Sequence, residues 1–467
     1  MNDLDFKNYL SPFSWRYGSE RMRQIFSEDH KYRTWRKIWV ALAKAQYKAG
    51  LINKEELNDL EANQENIDIE RILEIEKETK HDLVAAIKEY AEKAKIGGGK
   101  IHLGATSMDV VDNSDSLRIK DALILIKEKI KKILMLYISI TEEYSDFPSL
   151  GYTHLQAAEP TTVGYRFAIY AKDLLTDFRS LKYLLNNFEA KGFKGAVGTS
   201  ASYSTLLEGT SISPQKMEKM IMDQLNLQPT LVSTQVYSRK LDYSITTILA
   251  SIASSLAKFA GDLRILQSPG FGEWSEPFLE KQVGSSAMPF KKNPLNSEKI
   301  CSLARLVASI PQVALENATL SHLERTLDDS ANKRIIISES FLAVDEILDT
   351  AEKITSGMTF NEKRIEYNLE QFAPFAATEA IIVEAVKNGA NRQEMHEVIR
   401  QIALKAWDRI LDGKSNPMKI LLCQNKQILK YVKVSKILQL IKVSNHIGDA
   451  PQRALMLVKE IKNEIRK

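Results

Sequence analysis

The string GSSAMPFKKNP, residues 284–294, gathers two hydroxyls (Ser285, Ser286), two ammonium groups (Lys291, Lys292) and an amide (Asn293) within eleven residues. Pro289 and Pro294 each remove a backbone donor, and glycine and serine favour irregular turns, so the string reads as a loop. A serine can take a proton only if its alkoxide is strongly stabilised, because its free pKa lies far above neutrality. The two lysines and the loop amides could supply that stabilisation, and Asn293 could orient a bound group. Glu298 falls near the start of the next helix, in PLNSEKICSLARLV, where it could cap that helix or polarise a histidine. On residue types alone, a solvated turn with ordinary lysines explains the loop equally well.

Three of the seven histidines occupy unusual strings: His81 in TKHDL, His102 in IHLGATS and His154 in GYTHLQ. Each could serve as an acid–base group or as a hydrogen-bonded structural group. His30, His322, His396 and His446 have no evident polar partners. No HExxH, no histidine pair at i, i+4 and no cysteine cluster occurs, so no metal site is expected. GGGKIHLG lacks the Ser/Thr and the preceding strand of a phosphate loop, so no nucleotide cofactor is expected either.

The elements that must carry these groups read as helices. Leu123, Ile126, Ile130, Ile133, Tyr137 and Ile140 recur at helical spacing, as do Val163 to Phe188 and Ile245 to Leu266. The third stretch is interleaved with Ala250, Ala253, Ser254 and Ala257, small enough for close helix approach, which suits a helix surrounded by others. Breaks fall at KIGGGKIHLGATSMDVVDNSD, at FPSLGYTHLQAAEPTT, at FKGAVGTSASYS and near GMTFNEKRI. The expected fold is all-α in three helical domains: 1–107, a long-helix bundle over 108–359 bearing the loop, and a Lys- and Ile-rich tail over 360–467.

The 64 basic and 60 acidic residues are interspersed, which argues against nucleic acid as a partner and leaves room for a basic pocket. Two distant cysteines give no disulfide framework and suit a reducing compartment. The N-terminal string has no apolar signal core, and the run YSITTILASIASSLA reads as too short and serine-rich to span a bilayer. A soluble, cytoplasmic protein without membrane partners is expected.

Three strings in order, GATSMDVVDN, GYTHLQAAEPTTVG and GSSAMPFKKNP, resemble the three motif regions of the fumarase/aspartase superfamily. Within it, WRYGSE, KHDLVA, STQVYSRK and ERTLDDSANKR are most similar to the adenylosuccinate lyases, the last two to the animal-type branch. The resemblance covers residues 15 to about 400. It implies a cofactor-free β-elimination of fumarate from succinylated purine nucleotides: adenylosuccinate, giving AMP, and succinylaminoimidazole carboxamide ribotide (SAICAR), giving its free amide. It also implies a homotetramer whose long helices form a shared core and whose sites draw on several chains.

By motif position, the resemblance makes Ser285 the base and His154 the acid, with Glu298 hydrogen-bonded to His154. Lys291 and Asn293 would hold the succinyl carboxylates and stabilise the aci-carboxylate, Thr106 and Ser107 would bind a succinyl carboxylate as well, and Thr153 would be a further substrate-binding residue. His81 and Asp82, beside Lys80, would orient the substrate near its leaving nitrogen. Arg16, Tyr17, Arg325, Ser330 and Arg334 would meet phosphate and ribose, Gln235 the purine or a carboxylate, and His102 would be either a phosphate-side or a supporting residue. Lys80 stands where the family has arginine, which keeps the charge and loses the fork, and His322 stands where it has an aromatic residue. Argininosuccinate lyase and fumarase are the neighbouring alternatives, and the KHD and ERTLDDSANKR strings speak against both. An inactive helical scaffold would show damage at Ser285, His154 or Lys291, and all three are intact.

Overall fold

A computed structural model describes residues 7–442 and 446–466. Helix α1 (Glu28–Lys48) starts at Ser27, whose hydroxyl accepts from the His30 amide, and it buries Trp35, Ile38, Trp39 and Leu42 along one stripe. Next come α2 (Ile69–Thr79) and α3 (Asp82–Lys93), then the 37-residue α4 (Ser107–Glu143). The remaining long helices are α5 (Val163–Asn186), α6 (Lys240–Gln267), α7 (Leu295–Thr319), α8 (Ser330–Gly357) and α9 (Glu362–Lys387). The fold is all-α, as expected, with three short two-stranded pieces among the described residues.

One of those pieces departs from the sequence reading. FPSLGYTHLQAAEPTT is an antiparallel hairpin, β1 (Pro148–Thr153) with β2 (Gln156–Thr162), rather than a plain break. Two prolines, a glycine and scattered polar residues hide its alternation. Strand pairing is a non-local property that helix periodicity does not report.

By contact the chain groups into two compact units. The first gathers residues up to Lys129 with Asp177–Ser254 and Ser302–Asp349, and the second Ile130–Thr176, Ser255–Cys301 and the chain from Thr350 onward. These boundaries fall inside α4 to α8, whereas the division at 107 and 359 follows helix breaks. In the first unit, a buried ion pair joins Arg36 of α1 to Glu89 of α3 at 2.5 Å, and the guanidinium sits 3.6 Å from the Tyr90 ring centroid. In the second, the seams of α4, α5 and α6 meet in an aromatic cluster. Tyr137, Phe167, Tyr170 and Phe259 lie with ring centroids 5.4–6.4 Å apart, and Trp274 stacks on Phe167 at 5.1 Å. A smaller core around Ile381, Ile399, Met418, Leu422 and Ile437 belongs to the C-terminal helices of that unit.

At 28 residues, α6 is long and apolar enough to cross a bilayer, which corrects the judgement drawn from its 15-residue uncharged run. Its apolar side chains are spent on packing. Ile245, Leu249 and Ile252 are fully buried in the first unit, and Leu256, Phe259 and Leu263 in the second.

Candidate active site

A cavity of about 570 Å³ opens in the first unit, lined by stretches far apart in sequence. The α2–α3 junction contributes Lys80, His81 and Asp82, and the start of α4 contributes Ser107, Asp112 and Asp115. Gln235 and Arg239 come from the segment before α6, and Arg325, Asp329, Ser330, Lys333 and Arg334 from the approach to α8. Eight of the expected substrate residues are thus brought together: Lys80, His81, Asp82, Ser107, Gln235, Arg325, Ser330 and Arg334.

Local geometry explains how they are held. Lys80 ends α2 in the left-handed region at φ 54°, a conformation that disfavours a side chain, and it turns the chain so that α3 starts at Asp82. Asp82 lies 3.6 Å from His81 Nδ1 and 3.4 Å from Arg334 Nη2, while Arg334 Nη1 donates to Ser330 Oγ at 2.8 Å. Ser107 opens α4 on a turn fixed by Asp109. That fully buried carboxylate accepts from the Thr106 amide at 3.0 Å and the Tyr203 hydroxyl at 3.0 Å, and it pairs with the buried Lys191 ammonium.

Four expected residues do not line the cavity. Thr106 donates its amide to Asp109, Arg16 lies 5.3 Å over the Trp15 ring, and Tyr17 packs on Phe13. His102 accepts the Trp39 indole N–H at Nδ1, 3.2 Å away. Burial pushes this histidine down to about 4, against a smaller opposite pull from Asp109. Its burial thus favours the neutral imidazole.

The other expected residues, Thr153, His154, Ser285, Lys291, Asn293 and Glu298, belong to the second unit. His154 and Leu155 form the two-residue tip of the β1–β2 hairpin with φ 54° and 59°, as a type I′ turn demands. Neither residue is the glycine such a turn prefers, so the tip carries strain, a frequent mark of a functional position. The hairpin stem is anchored by the buried Glu273 carboxylate. It accepts from Tyr152 Oη at 2.9 Å, Asn368 Nδ2 at 2.8 Å and Ser149 Oγ at 3.4 Å.

The 284–294 loop is built on its glycine. A side chain at Gly284 would meet the Lys291 carbonyl oxygen at 2.0 Å, so the two ends of the loop touch. Asn293 Nδ2 donates to the Gly284 carbonyl at 2.8 Å, and Ser285 Oγ accepts the Met288 amide at 3.1 Å. Residues 286–290 are exposed. Asn293 thus spends a donor on shaping the loop. Neither sequence role for Glu298 is filled within one chain. The N-terminus of α7 is capped by Glu276, which accepts from the Asn296 and Ser297 amides, while Glu298 lies 4.0 Å from Arg264. No hydrogen bond joins Glu298 to His154 among the described residues.

Sequence reasoning missed Asp109, Asp112, Arg239, Asp329, Lys333 and Glu273. Asp109 and Asp112 lie inside GATSMDVVDN, Arg239 inside STQVYSRK, and Asp329 and Lys333 inside ERTLDDSANKR, so three strings carried a signal that was there to be used.

The chain matches two family models: "Lyase" over residues 16–308 and "Adenylosuccinate lyase C-terminus" over residues 374–454. The second extends the likeness past residue 400, where the sequence resemblance fades. It is 34% identical to the adenylosuccinate lyase of Archaeoglobus fulgidus over 98% of this chain and all of that one. With the adenylosuccinate lyase of Saccharomyces cerevisiae it shares 35% over 99% and 96% of the two chains. Among solved structures, a 3-carboxy-cis,cis-muconate lactonizing enzyme from Pseudomonas putida superposes with a TM-score of 0.84 at 22% identity, over 97% of this chain and 99% of that one. A fumarate lyase from Mesorhizobium sp. BNC1 gives 0.83 at 22%, with the same coverage. These two speak to the fold alone.

Proposed function

The chain belongs to the adenylosuccinate lyase family, and from that membership we propose how its residues divide the work of the family's reaction. The reaction is a C–N elimination of purine nucleotide synthesis. Adenylosuccinate loses fumarate to leave AMP, and SAICAR loses fumarate to leave its free amide. The observation that carries the reading is the cavity of the first unit, where eight residues named from the family's motifs converge from separate stretches of the chain.

The chemical difficulty is a carbon-bound proton beside a carboxylate, whose removal leaves a doubly charged aci-carboxylate. Ser285 takes that proton, and Lys291 with the loop amides stabilises the charge that develops. The C–N bond then breaks toward the nitrogen, and His154 supplies the proton the leaving nitrogen needs. Lys80, His81 and Asp82 hold the substrate near that nitrogen. Arg325, Ser330 and Arg334 take the phosphate and ribose, and Gln235 the purine end.

We propose further that the sites are shared in a cytoplasmic homotetramer. The cavity's seven cationic side chains face six carboxylates, a formal +1 with histidines neutral. A substrate with two carboxylates and a phosphate carries about −4. Lys291 of another chain, with Lys292, would supply the missing positive charge. Leu231, Leu323 and Leu327, which flank Gln235 and Arg325 in sequence, are 90%, 87% and 70% exposed in one chain, as a surface meant for a second copy would be. The exposed Thr247, Ser251, Ser254 and Lys258 of α6 give a stripe on which another helix can lie.

The test is direct. Purified protein incubated with adenylosuccinate should lower the substrate's absorbance and release fumarate and AMP in equal amounts. Folded protein that leaves adenylosuccinate intact would refute the reading.

A further inference from the structure

Along the cavity wall runs a ladder of alternating charges, of which the proposed chemistry uses only the last member, Arg325. Lys333 Nζ meets Asp115 Oδ2 at 2.8 Å and Asp112 Oδ1 at 3.9 Å. Arg239 Nη1 reaches both Asp112 oxygens, at 3.1 and 3.2 Å, and its Nε donates to Asp329 Oδ2 at 2.6 Å. Asp329 Oδ1 then accepts from Arg325 Nη1 at 2.9 Å. Asp112, Arg239 and Asp329 are all at least 96% buried.

Two features set Arg325 apart from the other cations of the cavity. It ends the ladder, and Nη1 is the only one of its side-chain nitrogens with a protein partner among the described residues, so Nη2 and Nε remain for a ligand. Arg334, by contrast, is two-thirds exposed and is tied only to Ser330 and to Asp82 at 3.4 Å. A buried charge ladder is weak evidence for stability, because well-packed apolar side chains of similar volume often do as well. What such a ladder does supply is a fixed position for its last member. Burial opposes ionisation of Asp329, but Arg239 and then Arg325 outweigh it and hold the carboxyl below its ordinary range. The acceptor therefore stays charged across the working pH range.

We propose that Asp329, braced through Arg239 by Asp112, is a positioning residue that sets Arg325 for the substrate's phosphate and so makes the enzyme prefer a nucleotide over the corresponding nucleoside. This rests on the reading of Arg325 as a phosphate ligand. Lysine could not replace Arg325 in this role, since one ammonium cannot point one donor at Asp329 and hold a planar pair for a phosphate. The ladder meets Arg325 through Asp329.

The experiment compares adenylosuccinate with the same succinylated compound lacking its 5′-phosphate, using the full-length protein and the variants Asp329→Asn and Arg325→Ala. Arg325→Ala should abolish most of the nucleotide preference. Asp329→Asn should raise KM for the nucleotide at least about tenfold, leave kcat within about threefold, and change KM for the nucleoside less than about twofold. Added to Arg325→Ala, it should change nothing further. If the amide variant does not assemble, Asp329→Glu keeps the charge and moves the carboxylate by a methylene, and the same loss of preference is expected. Arg325→Ala removing the preference while Asp329→Asn weakens both substrates alike, or neither, would overturn the positioning role and leave the phosphate reading standing. A preference that survives Arg325→Ala would overturn both.

Discussion

Replacing Asp109 by asparagine should destabilise the first unit severely while barely changing its volume. The fully buried carboxylate accepts from the Thr106 amide and Tyr203 hydroxyl at 3.0 Å and from the Lys194 and Gly195 amides at 3.3 Å, and it pairs with Lys191. Lys191 is itself fully buried, and Asp109 is the only acceptor of its ammonium among the described residues. The amide would turn a donor toward donors and leave a buried cation without a counter-charge. Removing one partner of such a pair costs about 3–5 kcal/mol, a large share of the ~5–15 kcal/mol that holds a folded protein together. Because the same carboxylate holds the turn before Ser107, surviving activity should show a raised KM. The assay is urea unfolding followed by circular dichroism at one fixed protein concentration, since assembly would make the midpoint concentration-dependent. Lys191→Met added to Asp109→Asn removes the orphaned charge and should recover at least about half of the loss. A loss below about 1 kcal/mol for the single variant, or a double variant no more stable than the single, would refute the reasoning.

Other expectations follow from the site's geometry. Because His102 is pushed down to about 4, the unfolded chain takes up a proton between about pH 6.5 and 4 that the folded one refuses, so stability falls as pH drops through that window. His102→Asn keeps an acceptor for Trp39 and tolerates φ 65°, and it should reduce the loss between pH 7 and 4.5 by about 2 kcal/mol, read from urea curves at both pH values. Ser285→Ala should lose at least about a thousandfold in kcat with binding retained, whereas Ser286→Ala should stay close to the parent enzyme; the reverse result would exchange their roles. Lys80→Gly relieves a left-handed side chain but loosens the unfolded chain, so unfolding free energy should move by less than about 1 kcal/mol while KM rises about tenfold.

The helical frame was legible in the sequence because its signal is local. The seam from Leu123 to Tyr137 and that from Val163 to Leu181 are buried as the spacing requires. The loop at 284–294 was legible as a loop from its prolines, and its closure on Gly284 was not, because the contact with the Lys291 carbonyl depends on backbone path. The hairpin that presents His154 was hidden for a similar reason: its register pairs Pro148 with Thr162, fourteen residues away. The buried charges were the hardest to read. Asp109 finds Lys191 across 82 residues, and Asp112 finds Arg239 across 127, and in sequence each looks like an ordinary surface charge. Motif strings contained most of the residues that face and brace the cavity, and gave no sign of which buried charges pair with one another.

If the proposed shared sites each combine Ser285 of one chain with His154 of another, mixing two inactive variants tests the sharing most directly. His154→Ala and Ser285→Ala, each silent alone, are combined in equal amounts, partly denatured and reassembled, with tetramers confirmed by sedimentation. If acid and base come from different chains, random mixing should restore about one site in four, since each position then has an even chance of being intact. Mixed tetramers that stay inactive would show that both groups act from a single chain, and shared sites of this kind would have to be abandoned.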